Sequence, residues 1–232
     1  MEMPAHAPDP AVLVATRLGL QSVAEHVLAP ALHAATGHIG LRATPGGFGT
    51  PWFPAAEAGR RRIRVDGLDL VVEDGAEHRR TALTSVRAAA DLAGMAPGLP
   101  AGVYPPATPL DPDARLHLDH GAVERLARFY GVVDQALGSL RHDTTGGAEA
   151  GPPQLWPEHF DLALTIGEVN YGGSPGDAEH PEPYLYVGPW TPPPVDGGFW
   201  NEAFGASRTA PAALRAGEAL AFFQEGVRRL AG

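Results

Sequence analysis

Hydrophobic residues recur at helical spacing in some stretches of the chain and at alternating spacing in others. Leu13, Leu20, Val23, Val27 and Leu28 fall on roughly one helical face, behind Asp9 and Pro10, which read as an N-cap and a first-turn proline. Pro30 predicts a kink or a restart, the helix then running on to Ala35 with Gly37 as its stop. The clearest helix follows Asp119: Val123, Leu126, Tyr130, Val133, Leu137 and Leu140 repeat every three or four residues, a core-facing stripe. A shorter helix, capped by Thr84 or Ser85, is predicted through Leu92, and a last one after Pro211 with Leu220, Phe223, Val227 and Leu230 inward.

Alternation predicts strands at His38–Thr44, within Arg60–Glu73, at Phe160–Ile166 and at Tyr184–Val187, with a short one inside Phe199–Thr209. Asp66-Gly67 marks a tight hairpin turn or a bulge. Strands and helices do not alternate regularly, and several strand pairs are joined by hairpin-like connections. The pattern therefore predicts an α+β fold: an antiparallel sheet of about five or six strands packed with three to four helices. A single domain over residues 1–232 is expected, with a possible internal linker at 143–153, where Gly, Thr and Pro collect.

Composition narrows the classes. The 29 Gly and 24 Pro lie mainly between periodic segments, which predicts long, rigid, irregular loops of the kind that carry sites. With no Cys, disulfides and thiolate chemistry are excluded, and a reducing, cytoplasmic setting is expected. No stretch reaches the length of a membrane span, and the first residues lack the basic start of a signal peptide. A net charge of −10 argues against nucleic acid as a partner. Gly46-Gly47-Phe48-Gly49 lacks the Lys-Ser/Thr and the spacing of a phosphate-cradling loop.

The distribution of charge changes the picture most. The chain has no Lys, and no Arg lies between His142 and Ser207, a window holding Asp143, Glu149, Glu158, Asp161, Glu168, Asp177, Glu179, Glu182, Asp196 and Glu202. Elsewhere seventeen Arg meet an equal number of carboxylates, so the whole net charge resides in that window, with three of the four Trp and three of the five Tyr. Its partners are to be sought among Arg from the first half, with Arg42, Arg60, Arg61, Arg62 and Arg64 as candidates, or in a metal, a cationic ligand or water.

Two runs in this window are distinctive: Gln154-Leu-Trp-Pro-Glu-His-Phe-Asp-Leu-Ala163, and Ser174-Pro-Gly-Asp177 followed by Pro181-Glu-Pro-Tyr-Leu-Tyr-Val-Gly-Pro-Trp190. Over about residues 154–206 the chain resembles a bacterial family of uncharacterised proteins, largely actinobacterial, that shares Leu-Trp-Pro-x-His-Phe-Asp and Ser-Pro-Gly-Asp…Pro-Glu-Pro-Tyr motifs. The resemblance implies relatedness and no particular activity.

Within the window, His159 and Asp161 are two apart, on one face of the expected strand, opposite Phe160 and Leu162. They form a pair of metal ligands, a base with its orienting carboxylate, or a hydrogen-bonded architectural pair. A straight strand would hold Asp161 and Glu168 roughly 23 Å apart, so they cannot share one ion. A second cluster is expected where a loop Tyr171–Glu182 closes over paired strands: Glu168, Asn170, Asp177, His180 and Glu182. Asp177, His180 and Glu182 are the candidate ligands for a divalent metal such as Mg²⁺, Mn²⁺ or Zn²⁺. Tyr184 and Tyr186 share a strand face and, with Trp190 and Trp200, would line a pocket for a flat or cationic ligand. The function expected first is a small-molecule-binding domain, in its enzymatic form a metal-dependent hydrolase or lyase. The alternative is a non-catalytic interaction protein that docks a basic partner through its acidic face.

Overall fold

The structure, a computed structural model, describes residues 9–56, 58–145 and 150–231. Glu149 and part of the expected linker lie outside the described residues. Among those described, five α-helices, α1 (Pro10–Val23), α2 (Ala29–Thr36), α3 (Val86–Ala93), α4 (His120–Thr145) and α5 (Ala216–Ala231), accompany two antiparallel sheets. The first sheet contains β1 (Arg42–Thr44), β2 (Gly47–Gly49), β3 (Phe53–Ala55), β4 (Gly59–Asp66), β5 (Asp69–Asp74) and β6 (Glu77–Ala82). The second contains β7 (Gln154–Trp156), β8 (Asp161–Ile166), β9 (Val169–Ser174), β10 (Tyr184–Pro189) and β11 (Ala206–Thr209), a meander in chain order. The fold is α+β, and the expected single sheet is resolved into a six-stranded and a five-stranded one. No helix among the described residues is long and apolar enough to cross a membrane.

The first helix keeps its expected start: Asp9 Oδ1 accepts from Ala11 N–H at 2.8 Å. Pro30 neither breaks nor ends it. A π-helical turn, Ala24–Leu28, joins α1 to α2 as one continuous helical run. Proline has no N–H to offer the carbonyl four residues back, which belongs to His26. That carbonyl accepts instead from Gly98 N–H at 2.8 Å, so the long loop after α3 is tied to the helix where the helix lacks its own donor. Glu25, on the same turn, is buried and accepts from the backbone N–H groups of Ala107 and Thr108 at 2.7 and 2.8 Å. Gly37, at φ 75°, closes α2.

The stripe of α4 is wholly buried, from Val123 to Leu140. One hydrophobic cluster takes residues from α1, α4, both sheets and α5. One face of the second sheet, with Leu162, Leu164, Tyr171, Leu185 and Val187, packs into that cluster. The approach is close at Gly173, where a Cβ would lie 2.7 Å from Val133 and 2.9 Å from Phe129, and at Gly226 of α5, where it would lie 2.9 Å from Val187. Along α5, Ala219, Phe222 and Phe223 point inward, and Leu230, expected inward, is exposed.

Two strands escape the alternation rule. β6 is a charged edge strand, held by cross-strand pairs such as Arg79–Asp74 and Arg80–Asp69. In β9, glycines occupy positions that neighbours fill. Its sister strand β8 is reached from β7 through Pro157–Phe160, a turn and not the continuous strand that alternation suggested. Gly167, at φ 59°, then reverses the chain with Glu168 at the tip.

Candidate functional site

The second sheet has two faces of different character. Strand alternation places Leu162, Leu164 and Ile166 toward the helices and Asp161, Ala163 and Thr165 on the other side. Register continues that second face: Ala163 stands opposite Gly172, Thr165 opposite Asn170, Gly172 opposite Tyr186, and Ser174 opposite Tyr184. The face is thus polar and glycine-bearing at its centre, and two adjoining recesses open on it. One, about 550 Å³, is walled by Ser174, Asp177, Tyr184, Pro189, Pro192 and Phe204. The other, about 530 Å³, is walled by Gln154, Trp156, Glu158, Ala163 and Thr165. His159, Asp161, Asn170, Tyr186 and Trp190 line both. Each volume lies within the range of ordinary small-molecule sites, about 300–1,000 Å³.

Asp161 lies where the recesses meet. It is buried, at 9% exposure, and its Oδ2 accepts the hydroxyl hydrogen of Tyr186. Its Oδ1 is also buried, and no other described residue hydrogen-bonds to it; the backbone N–H of Asp161 itself is the remaining donor near the carboxyl. Burial pushes the Asp161 carboxyl up to about 6, against the opposing pull of the Tyr186 hydroxyl and of nearby His159. Glu158, a like charge, pushes the same way as burial.

Local structure explains how a carboxylate comes to sit there. Phe160 has φ 56°, a left-handed conformation that costs a non-glycine residue about 1–2 kcal/mol. It is held by its own N–H to Trp156 O at 2.7 Å, by the Tyr130 hydroxyl donating to its carbonyl at 2.6 Å, and by edge-on packing with Phe48 and Tyr130 at 5.1 and 5.7 Å. The twist buries Phe160 in the core and starts β8 with Asp161 facing the recess. Tyr186 reaches Asp161 by lying across Gly172, whose missing Cβ would fall 2.5 Å from the Tyr186 Cζ and hydroxyl oxygen.

Helix α1 ties down both flanks. Arg17 donates to the carbonyls of Asp177 and Pro181, each at 3.3 Å, and Gln21, one turn on, donates to those of Pro157 and Glu158 at 3.3 and 3.2 Å. Both side chains stand in the stripe between Leu13 and Val23, where a polar pair one turn apart was the available signal in the sequence. Gly176, at φ 105°, gives Arg17 its room: a Cβ there would lie 2.5 Å from the Arg17 guanidinium.

The expected acidic cluster holds only in part: His180 Nδ1 stays 3.8 Å from Asp177 Oδ1, and Glu168 is remote from both. Glu168 sits in the β8–β9 turn, separated by all six residues of β9, about 20 Å, from the loop that carries Asp177. Glu182 pairs with Arg125 of α4. His180 Nε2 is 3.0 Å from Glu202 Oε1, which also accepts from Ser207 at 2.7 Å. Asp177 Oδ1 accepts from the N–H groups of Glu179 and His180, and its Oδ2 accepts from Tyr184 at 2.6 Å. Burial works to raise the Asp177 carboxyl, but these donors outweigh it and hold the group below the usual carboxylate range. Asp177, His180 and Glu182 therefore shape the loop. Among the described residues no three His, Asp or Glu are grouped to hold a metal ion.

His159 lies in the β7–β8 turn, exposed at the rim and not on the strand. Trp200 is buried against Phe199, ring centroids 4.9 Å apart, and lines neither recess. Asn170, Tyr186 and Trp190 line both recesses and Tyr184 the first, where Phe204 joins them at 6.5 Å from Tyr186. The expected arginine partners stay in their own sheet: Arg61 pairs with Asp74, Arg62 with Glu73 and Arg64 with Asp66. Arg42 donates to Pro153 O at 3.1 Å. In comparisons with known proteins, no family model, curated protein or solved structure matches the chain.

Proposed function

We propose that this chain is a small-molecule-binding domain whose site is the pair of recesses on the open face of the second sheet, with Asp161 as the group that recognises the ligand. One observation carries the reading: Asp161, a residue that lines both recesses, keeps one buried carboxylate oxygen that no other described residue hydrogen-bonds. Buried polar atoms are almost always paired, and an unpaired one costs about 1–3 kcal/mol or more. A ligand donor at Asp161 Oδ1 offsets that cost, while Tyr184, Tyr186, Trp190 and Phe204 supply apolar area around it. In an enzymatic form, a carboxyl pushed up to about 6 is suited to accepting and returning a proton near neutral pH. Docking of a basic partner has weaker support, because Glu182 and Glu202 are already engaged by Arg125 and His180.

The four tryptophans provide the test. A mixed set of acidic, basic and neutral fragments is screened by the indole N–H signals. Fragments that move Trp156 and Trp190 but leave Trp52 and Trp200 in place support the site. A set that moves neither Trp156 nor Trp190 overturns it.

A further inference from the structure

We propose that the ligand is an organic monocation whose charged group carries N–H donors (a primary or secondary ammonium, or an amidinium) attached to a compact apolar or aromatic body. This rests on the small-molecule reading of the site and names its ligand class.

Three observations lead there. First, the unpartnered group is an acceptor: Asp161 lines both recesses at 9% exposure, and its Oδ1 is buried without a hydrogen bond from another described residue. Second, the field has one sign. Asp161 and Asp177 line one recess and Glu158 and Asp161 the other, and among the described lining residues there is no Arg. Glu158 Oε2 is a second buried carboxylate oxygen without a partner among the described residues. Of the described lining side chains, only His159, at the rim, can carry positive charge. An anionic ligand would have to enter against these carboxylates, whereas a cation gains from each of them. Third, the walls near Asp161 are aromatic faces. Tyr184 and Tyr186 stand 6.3 Å apart and Phe204 meets Tyr186 edge-on at 6.5 Å. Trp190 lines both recesses and is 64% exposed, a ring left largely to solvent at the mouth. Aromatic faces attract cations and accept flat apolar bodies.

The two recesses divide the work. The charged nitrogen sits where they join, against Asp161. The body lies in the recess of Tyr184, Pro189, Pro192 and Phe204, and a polar substituent would point toward Gln154, Thr165 and Asn170. The bare oxygen calls for a hydrogen, so a quaternary ammonium fits less well than an N–H cation.

Phenethylamine, its trimethylammonium analogue and phenethyl alcohol share one body and differ at the head. Each is titrated at neutral pH into the unmodified protein by calorimetry, with the Trp156 and Trp190 indole signals as a site reporter. The amine binds at least about tenfold more tightly than the alcohol, the scale of a charge-assisted hydrogen bond, with the quaternary salt between them. Asp161→Asn brings the amine-to-alcohol affinity ratio down to about one, while circular dichroism confirms that the variant is folded. Alcohol binding as tight as the amine's overturns the cation and leaves the small-molecule site standing. The cation is overturned in the same way if other fragments move Trp156 and Trp190 and these three do not. A quaternary salt that matches the amine overturns the N–H requirement. Failure of every fragment to reach the two indoles removes both readings together.

Discussion

Tyr186 lies across the bare backbone of Gly172 and spends its hydroxyl on Asp161, so a residue without a side chain decides where the site's carboxylate is held. The relationship spans three strands: Asp161 begins β8, Gly172 is on β9 and Tyr186 is on β10. Gly172→Ala puts a methyl 2.5 Å from the Tyr186 ring and its hydroxyl oxygen. Overpacking of this kind costs about 1–3 kcal/mol. Denaturant unfolding should show a loss of that size. The double variant with Tyr186→Phe should lose less than the sum of the two single changes, because the residues share one contact.

Stability should depend on pH through Asp161. Its folded-state carboxyl is raised to about 6, above its unfolded value of about 4, so between those pH values the folded protein holds more protons than the unfolded chain. Stability contributed by this group therefore falls as pH rises from about 4 to 6, by at most about 3 kcal/mol. The groups that bear on it are Tyr186 from β10, His159 and Glu158 from the preceding turn, and the backbone N–H of Asp161 itself. Asp161→Asn should flatten that part of the profile and melt higher than the parent above about pH 6. A parent that gains stability across this interval, with the variant following it, would refute the assignment.

Arg17 holds the loop between β9 and β10 through the carbonyls of Asp177 and Pro181. Arg17→Met keeps much of the volume and removes both donors. Hydrogen exchange at residues 175–183 should quicken, and stability should drop by about 1–3 kcal/mol, the cost of leaving such acceptors unpaired. Exchange in β4 and β5 of the first sheet should not change.

Tyr130→Phe deletes the hydroxyl that holds Phe160 at φ 56° and leaves the ring packing. About 1 kcal/mol of stability should be lost. If the twist at Phe160 directs Asp161 into the recess, amine binding should weaken as well, although Tyr130 lines neither recess.

The sequence is legible here wherever local spacing alone decides. The α4 stripe, the cap at Asp9 and the shared face of Tyr184 and Tyr186 all follow from spacing. What escapes is structure made by polar or missing side chains. β6 is held by arginine–carboxylate pairs across strands, so it has no alternation to read. β9 carries Gly172 and Gly173, which resemble a loop until Tyr186 and α4 are seen to occupy their missing side chains. Pro30 looks like a break until Gly98 supplies the hydrogen bond that the His26 carbonyl needs. His159 and Asp161 do not share a strand because Phe160 turns the chain between them, and nothing in a Phe codon announces a positive φ. The acidic window contains four kinds of carboxylate: Glu182 is paired with Arg125, Asp177 is spent on a turn and on Tyr184, Glu168 sits at a hairpin tip, and Asp161 is buried. Only three-dimensional partners separate them.

The proposed ligand recognition depends on Asp161 being a desolvated carboxylate that a cation satisfies. Carbon-detected NMR titration of its side-chain carboxyl, alone and with saturating phenethylamine, measures this directly. Alone, the group should titrate at about 6, and with the amine its midpoint should fall by about one unit or more, since a bound cation favours the charged form. A carboxyl that titrates near the ordinary aspartate value, unmoved by the amine, would contradict it.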